Sequence, residues 1–157
     1  MNKKNTQNSE IKIAENVDIP ELVELMQEFY DESDYPLDRG KASDAFQTLL
    51  SNRIWGEVLL AEVDGKTAGY IVITFYFAMG NYGYSARIDD LFVRKNFRGR
   101  GIGEEMVLKS LKMLEEKGIK HSCVEVGREN NPAITLYKKS GYCPQDNGII
   151  SMNREGL

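Results

Sequence analysis

Between Arg87 and Lys117 the chain gathers the residue types that can hold a phosphate. Ile88-Asp89-Asp90-Leu91-Phe92-Val93 is apolar enough to be a buried strand, and Arg98-Gly99-Arg100-Gly101-Ile102-Gly103 follows it. Val107, Leu111 and Leu114 then recur at helical spacing, with Glu104, Glu105, Lys109 and Lys112 left for the solvent side. The order is therefore strand, glycine-rich turn, helix. Three glycines in five residues remove the Cβ atoms that would hold a ligand off the backbone, and they permit positive φ. Free N–H groups at a helix start, backed by the positive end of the helix dipole, suit a phosphate. Arg98 and Arg100 add permanent charge and forked donors. An ordinary tight turn rich in Gly and Arg is the plainer reading, because a short glycine pattern is weak by itself.

Two familiar phosphate loops fit badly. A P-loop needs Lys followed by Ser or Thr after its last glycine, whereas Glu104-Glu105 stand here. A dinucleotide fold places its glycines after the first strand of a βαβ unit, and this loop comes after some ninety residues. The loop instead resembles the Arg/Gln-x-x-Gly-x-Gly/Ala pyrophosphate loop of the GNAT superfamily of acyl-CoA N-acyltransferases, with Arg98, Gly101 and Gly103 in the signature positions. A second segment, Asn130-Asn131-Pro132-Ala133-Ile134-Thr135-Leu136-Tyr137-Lys138-Lys139-Ser140-Gly141-Tyr142, resembles that family's Asn-x-x-Ala-x-x-Leu-Tyr-x-x-x-Gly-Phe/Tyr stretch. Both occur in the family's order, with a strand-like run between them.

The resemblance implies transfer of an acetyl group from acetyl-CoA to a primary amine, directly within a ternary complex. Main-chain groups of Leu91, Phe92 and Val93 would meet the thioester and pantetheine. Arg98, Gly99, Arg100, Gly101, Ile102 and Gly103 would cradle the pyrophosphate, and a bulky residue at Gly101 is expected to obstruct it without disturbing the fold. An N–H near Leu91 would bond the thioester oxygen as charge develops. Tyr137 stands where the family keeps its acid: a phenol of pKa ~10 is still protonated at neutral pH and can donate to a departing thiolate. Asn130 aligns with an asparagine that bonds the pantetheine arm. For the base, Glu125 matches the ribosomal-protein N-acetyltransferase branch, and Asp89 on the central strand competes with it. The histone-acetylating branch keeps its base where this chain has Arg87. Asp89 and Asp90 are expected on opposite faces of a strand. His121 titrates near neutrality, though its place at a strand start favours a structural role.

Elements must carry these groups to one place. Ile11-Lys12-Ile13 reads as a first strand. Asp18, with Pro20 just inside and Glu21 three residues on, reads as the cap of a helix burying Leu22, Leu25, Met26 and Phe29. Glu28, Asp31, Glu32, Asp34 and Asp38 then run with no intervening base and with Tyr30, Tyr35 and Pro36 among them. They form either a solvated junction or an acidic, aromatic rim for an ammonium substrate, with Tyr30, Asp31, Glu32, Asp34 and Tyr35 as its contacts. A second helix spans about Ala42–Leu50, burying Ala45, Phe46, Leu49 and Leu50. Glu57–Val63 and Thr67–Phe77 form a hairpin about Asp64-Gly65, and Gly69 leaves room for a close neighbour. Tyr82 and Tyr84 lie in the next turn. Gly118 closes the helix after the glycine loop, Ile119–Val126 is a strand, Pro132 starts a helix capped by Asn131, and Gly148–Asn153 is a last strand. The order β-αα-ββ-β-α-β-α-β is an α/β layout with one parallel crossover and is that of the GNAT fold, a mixed central sheet flanked by helices.

Length and composition bound the rest. The 157 residues fit a single domain, 1–157, with 1–10 a loose polar tail lacking a signal-peptide core. No stretch approaches the roughly 20 apolar residues of a membrane span. The net charge of −4, with bases spread out apart from the loop, disfavours nucleic acid. Cys123 and Cys143 are compatible with reduced thiols in the cytoplasm, Cys123 as a buried small residue, and no metal is expected. The long second hairpin can support a homodimer. Besides the enzyme, a non-catalytic acyl-CoA-binding or sensing module is open, although such a module has no use for Tyr137.

Overall fold

A computed structural model describes residues 9–145. Ser9 and Glu10, expected in the tail, belong instead to strand β1 (Ser9–Ile13) and pair with Val63 and Glu62. The expected strand Gly148–Asn153 lies outside the described residues. Helices α1 (Ile19–Asp31) and α2 (Arg39–Ser51) follow, then strands β2 (Gly56–Val63), β3 (Lys66–Ala78) and β4 (Gly83–Val93). The chain continues through helix α3 (Ile102–Glu116), strand β5 (His121–Val124) and helix α4 (Asn131–Lys139).

The sheet order is β1-β2-β3-β4-β5, antiparallel throughout except for the parallel pair β4–β5, whose crossover is α3. Alternation along β2 splits the core in two. Leu59, Ala61 and Val63 pack with Ile88, Met106, Val107 and Tyr137 on the α3/α4 face, whereas Val58 and Leu60 pack with Leu22, Phe46, Tyr70 and Phe92 on the α1/α2 face. Gly69 is required where β3 crosses β4, since a Cβ there would sit 2.3 Å from the Phe92 carbonyl oxygen.

Several local expectations change. Asp18 does not cap α1 through its side chain. Its carboxylate instead accepts the Glu15 N–H (2.8 Å) in a short 3-10 turn, Asn16–Asp18, and pairs with Lys12. Asp38 caps α2 by accepting from the Lys41 N–H (3.0 Å), so α2 starts before Ala42, with Ala42 buried and Ala45 exposed. Asn130, not Asn131, caps α4, accepting from the Ala133 N–H (3.3 Å). Cys123 is exposed, with its sulfur 3.6 Å from the Tyr76 hydroxyl. The expectation of a buried small residue fails because β5, at the edge of the described sheet, alternates exposed and half-buried positions and Cys123 falls on the exposed phase.

Candidate active site

β4 pairs with β5 only over Ser85–Ile88, while its pairing with β3 continues to Val93. From Asp89 onward one edge of β4 is therefore without a neighbour among the described residues. The Arg94 N–H donates to the Ala68 carbonyl (2.8 Å) on the β3 side. Because strand N–H groups alternate in direction, those of Val93 and Leu91 face the edge that β5 has left.

At the end of this opening lies the loop. Gly99 (φ +73°) and Gly101 (φ +85°) are left-handed, and Gly101 is the N-cap of α3. A Cβ built on either meets nothing within 4 Å, so the space above the α3 N-terminus is open, as a phosphate cradle requires. Gly103 serves packing, since its Cβ would lie 3.0 Å from Leu136 Cδ1 on α4. Ile102 is buried. The two arginines differ. Arg98 donates from Nε to the Val93 carbonyl (2.7 Å) and from Nη2 to both oxygens of Glu32 (2.7 and 2.8 Å), and it lies over the Phe92 ring. Arg100 has no carboxylate partner among the described residues and rests over Phe97 at 5.5 Å.

Tyr137 on α4 is buried on the α3/α4 face, edge-to-face with Tyr142 at 5.6 Å. Burial, then the neighbouring Tyr142 and the charge of Asp90, push its phenol above the ordinary tyrosine range. The Asn130 amide oxygen is used as the helix cap. Leu91 and Val93 are half-buried against the α3/α4 core, and Phe92 is buried on the opposite face.

The carboxylates separate. Register along β3 passes from Val72↔Asp90 to Ile73↔Ile88, so Asp89 is the extra residue of a β-bulge. The simple alternation expected of Asp89 and Asp90 does not apply there. The bulge inverts the parity of β4: Ile88 packs on the α3/α4 face, Phe92 on the α1/α2 face, and Asp90 goes with Phe92, its Oδ2 accepting from the Tyr70 hydroxyl (3.0 Å). Asp89 accepts from Arg87 Nε (2.9 Å), and the same guanidinium is 3.8 Å from Glu125, which is exposed just past β5. Both sequence candidates for the base thus share one arginine. Asp90 stands apart. Burial, and to a lesser degree the charge of Asp89, raise its carboxyl above the ordinary range, with the Tyr70 hydrogen bond acting the other way.

The acidic run is partly neutralised. Glu28 accepts from Arg94 Nε and Nη2 (2.8–3.0 Å), Glu32 is held by Arg98, and Asp38 caps a helix. Asp31 accepts from Gln27 (2.8 Å), and Asp34 is exposed at φ +51°. Asp31 and Glu32 do line a cleft of ≈ 540 Å³ between α1 and the β4–α3 loop, together with Phe92 and Lys95. Tyr30 is half-buried and meets the exposed Tyr35 edge-to-face at 6.4 Å. Sequence reasoning missed the Asp90–Tyr70 pair and the separate sharing of Arg87 by Asp89 and Glu125, because only a bulge with no glycine to mark it sets the two aspartates apart. His121 is exposed at the start of β5. Among the described residues no cluster of His, Cys, Asp and Glu has a metal-holding arrangement, and no helix is long and apolar enough to cross a membrane.

A helix N-terminus left open by left-handed glycines at one end of a split in the sheet, with a buried tyrosine in the core on the α3/α4 face, is an arrangement suited to an α/β group-transfer enzyme. The model of the acetyltransferase (GNAT) family matches residues 19–142. An uncharacterized N-acetyltransferase of Archaeoglobus fulgidus is 33% identical over 131 residues, covering 82% of this chain and 88% of that protein. A putative [ribosomal protein bS18]-alanine N-acetyltransferase of Bacillus subtilis is 31% identical over 64% of this chain and 63% of its own. Among solved structures, an integron cassette protein from a salt-marsh metagenome superposes with a TM-score of 0.81 at 30% identity, over 92% of this chain and 88% of that one. A predicted acetyltransferase from Clostridium acetobutylicum, solved with acetyl-CoA, shares the fold with a TM-score of 0.78 at 22% identity, over 92% and 96% of the two chains. The chain belongs to the GNAT family and is an N-acetyltransferase.

Proposed function

We propose that the protein transfers the acetyl group of acetyl-CoA to a primary amine directly, in a ternary complex, the amine being a small cationic molecule or a peptide or protein amine. The observation that carries this reading is the open edge of β4 beyond Ile88, which runs from the bulge at Asp89 into the cradle at Gly99–Gly103. The residues present fit acetyl-CoA: α3 N-terminal N–H groups and Arg100 for the pyrophosphate, and the Leu91 and Val93 main chain for the pantetheine and thioester. Bound there, acetyl-CoA supplies an acyl thioester.

The Leu91 N–H stabilises negative charge on the thioester oxygen, and it costs no reorganisation because the strand already holds it in place. Tyr137 donates a proton to the leaving sulfur. Desolvation keeps that phenol protonated at rest, and a thiolate forming in the same pocket is raised by the same desolvation, so the two remain matched. Asn130 retains its amide N–H groups for the pantetheine arm while its oxygen caps α4. The acceptor reaches the split past Tyr30, Tyr35, Asp31 and Asp34. The amine class is supported by relatives named for acceptors as different as the alanine of bS18, streptothricin and thialysine. Two unpaired cysteines support a reducing compartment such as the cytoplasm. Purified protein with acetyl-CoA and a panel of diamines, amino acids and N-terminal peptides, followed by free-thiol release, tests the proposal. Amine-dependent release is expected, and its absence across the panel overturns it.

A further inference from the structure

We infer that Asp90, held by Tyr70 on the α1/α2 side of the split, is the group that receives the acceptor's ammonium and takes its proton. The inference rests on the acetyl-transfer reading above and names the residue that completes it.

Four observations carry it. The β-bulge at Asp89 turns Asp90 onto the face opposite Ile88, at the point where β5 leaves β4. Asp90 therefore borders the opening from one side of the sheet, and Tyr137 borders it from the other. Among the described residues only one of its oxygens is engaged, Oδ2, which accepts from Tyr70. Asp90 is half-buried rather than buried, and no fully buried side-chain oxygen among those residues lacks a partner, which is consistent with an accessible Oδ1. The walls are aromatic. Tyr70 and Phe92 are buried beside it, Phe29 stacks on Phe92 at 5.6 Å, and Tyr30 is edge-on to Phe29. A desolvated carboxylate with one free oxygen, among ring faces, suits an alkyl ammonium. By contrast, Asp89 and Glu125 both share Arg87, which would repel the same cation.

The proton count closes. The ammonium R–NH₃⁺ gives one proton to Asp90, which passes it to solvent. As the nitrogen–carbon bond forms and the carbon–sulfur bond breaks, the nitrogen loses a second proton, and the sulfur gains one from Tyr137. That second proton restores the tyrosine. The products are the N-acetyl amide, the free thiol and one released proton.

The groups facing Asp90 are Tyr70 on β3, Tyr30 on α1, Asp89 on β4 and Tyr137 on α4. None carries a positive charge, so the Tyr70 hydrogen bond alone works against the rise. Its folded carboxyl is raised above 3.8, so the folded chain binds that proton more tightly than the unfolded chain does. Stability from this group is complete below about 3.8 and is lost as pH rises through the folded value, so at neutral pH the ionised Asp90 weighs against the fold.

The test compares Asp90→Asn with Tyr137→Phe and Glu125→Gln in the full chain, using whichever amine of the panel the wild type acetylates fastest. Asp90→Asn is expected to lower kcat/KM on the order of 10²-fold with acetyl-CoA affinity unchanged. It should also raise Tm at pH 7 but not at pH 4. Tyr70→Phe should move the acidic limb of the kcat/KM profile upward, since the bond that favours the ionised form is gone. An Asp90→Asn variant as active as wild type, or a lowered Tm at pH 7, overturns the assignment while leaving acetyl transfer intact. If wild type acetylates no amine, the broader reading falls first.

Discussion

In the proposed mechanism Tyr137 and Arg100 act through what surrounds each of them. The hydroxyl of Tyr137 is kept protonated chiefly by burial, and Tyr137→Phe preserves the ring packing against Tyr142 while removing only the donor. Turnover should fall on the order of 10²-fold with acetyl-CoA affinity level, which single-turnover kinetics beside calorimetric titration would read. Arg100 is the loop arginine without a carboxylate partner among the described residues. Arg100→Gln should weaken acetyl-CoA binding on the order of 10-fold, the worth of one charge-assisted hydrogen bond. The loss should shrink as salt is raised, and salt-independent binding would remove Arg100 from the cradle. Gly101 is a poorer probe than the chain's pattern suggests. At φ +85° a Cβ strains the backbone by about 1–2 kcal/mol. A bulky substitution there strains the loop as well as obstructing it, so a loss of binding would report on both.

Helix α1 ends against the cradle. Its last turn presents Glu28 to Arg94, whose Nη1 also reaches Glu21 (2.9 Å) and the Thr67 carbonyl (3.0 Å), while Glu32 at its C-cap takes Arg98. The first set fastens α1 to the sheet. The second competes with any phosphate for Arg98, since an anion brought to that guanidinium meets the Glu32 carboxylate as a like charge. Glu32→Gln should therefore tighten acetyl-CoA binding several-fold at low salt, with the difference fading once charges are screened within ~10 Å at 0.1 M. Titration across ionic strengths checks this, and weaker binding in the variant would mean that Glu32 positions Arg98 for the ligand instead. For the proposed acceptor rim, the same pairings leave Asp31 and Asp34 as the carboxylates without a cationic partner among the described residues.

Both faces of the sheet are covered, and β2 contributes alternate residues to each core, so neither half can lose its packing alone. Leu22, fully buried on the α1/α2 face, tests this. Leu22→Ala should cost about 2–5 kcal/mol, lowering Tm on the order of 5–20 °C, in one transition seen alike by near- and far-UV circular dichroism. Two separated transitions would show that the α1/α2 layer unfolds by itself. Near the far end of β3 and β4 the exposed Phe77, Met79, Tyr82 and Tyr84 belong to neither core.

What the amino-acid order determined alone was whatever short-range chemistry dictates. Glycines requiring positive φ marked the loop and the ends of α3 and α4, Pro132 marked the start of α4, and apolar periodicity marked β2, β3 and α3. Those signals sit within a few residues of one another, which is why the element order and the family motifs were legible. Tertiary structure alone decided which side chains meet. The bulge at Asp89 arises from how β3 and β4 register over their whole length, and no residue type announces it. It alone makes Asp90 the desolvated carboxylate and leaves Asp89 on Arg87. The capture of Arg98 by Glu32 spans 66 positions, a distance over which no periodicity carries information. The cap falls at Asn130 rather than Asn131 because it is the Asn130 side chain that reaches the Ala133 N–H. Local geometry can be read from spacing because neighbours constrain each other's φ and ψ. Long-range charge pairing cannot, because it depends on where two faces of the sheet bring their ends together.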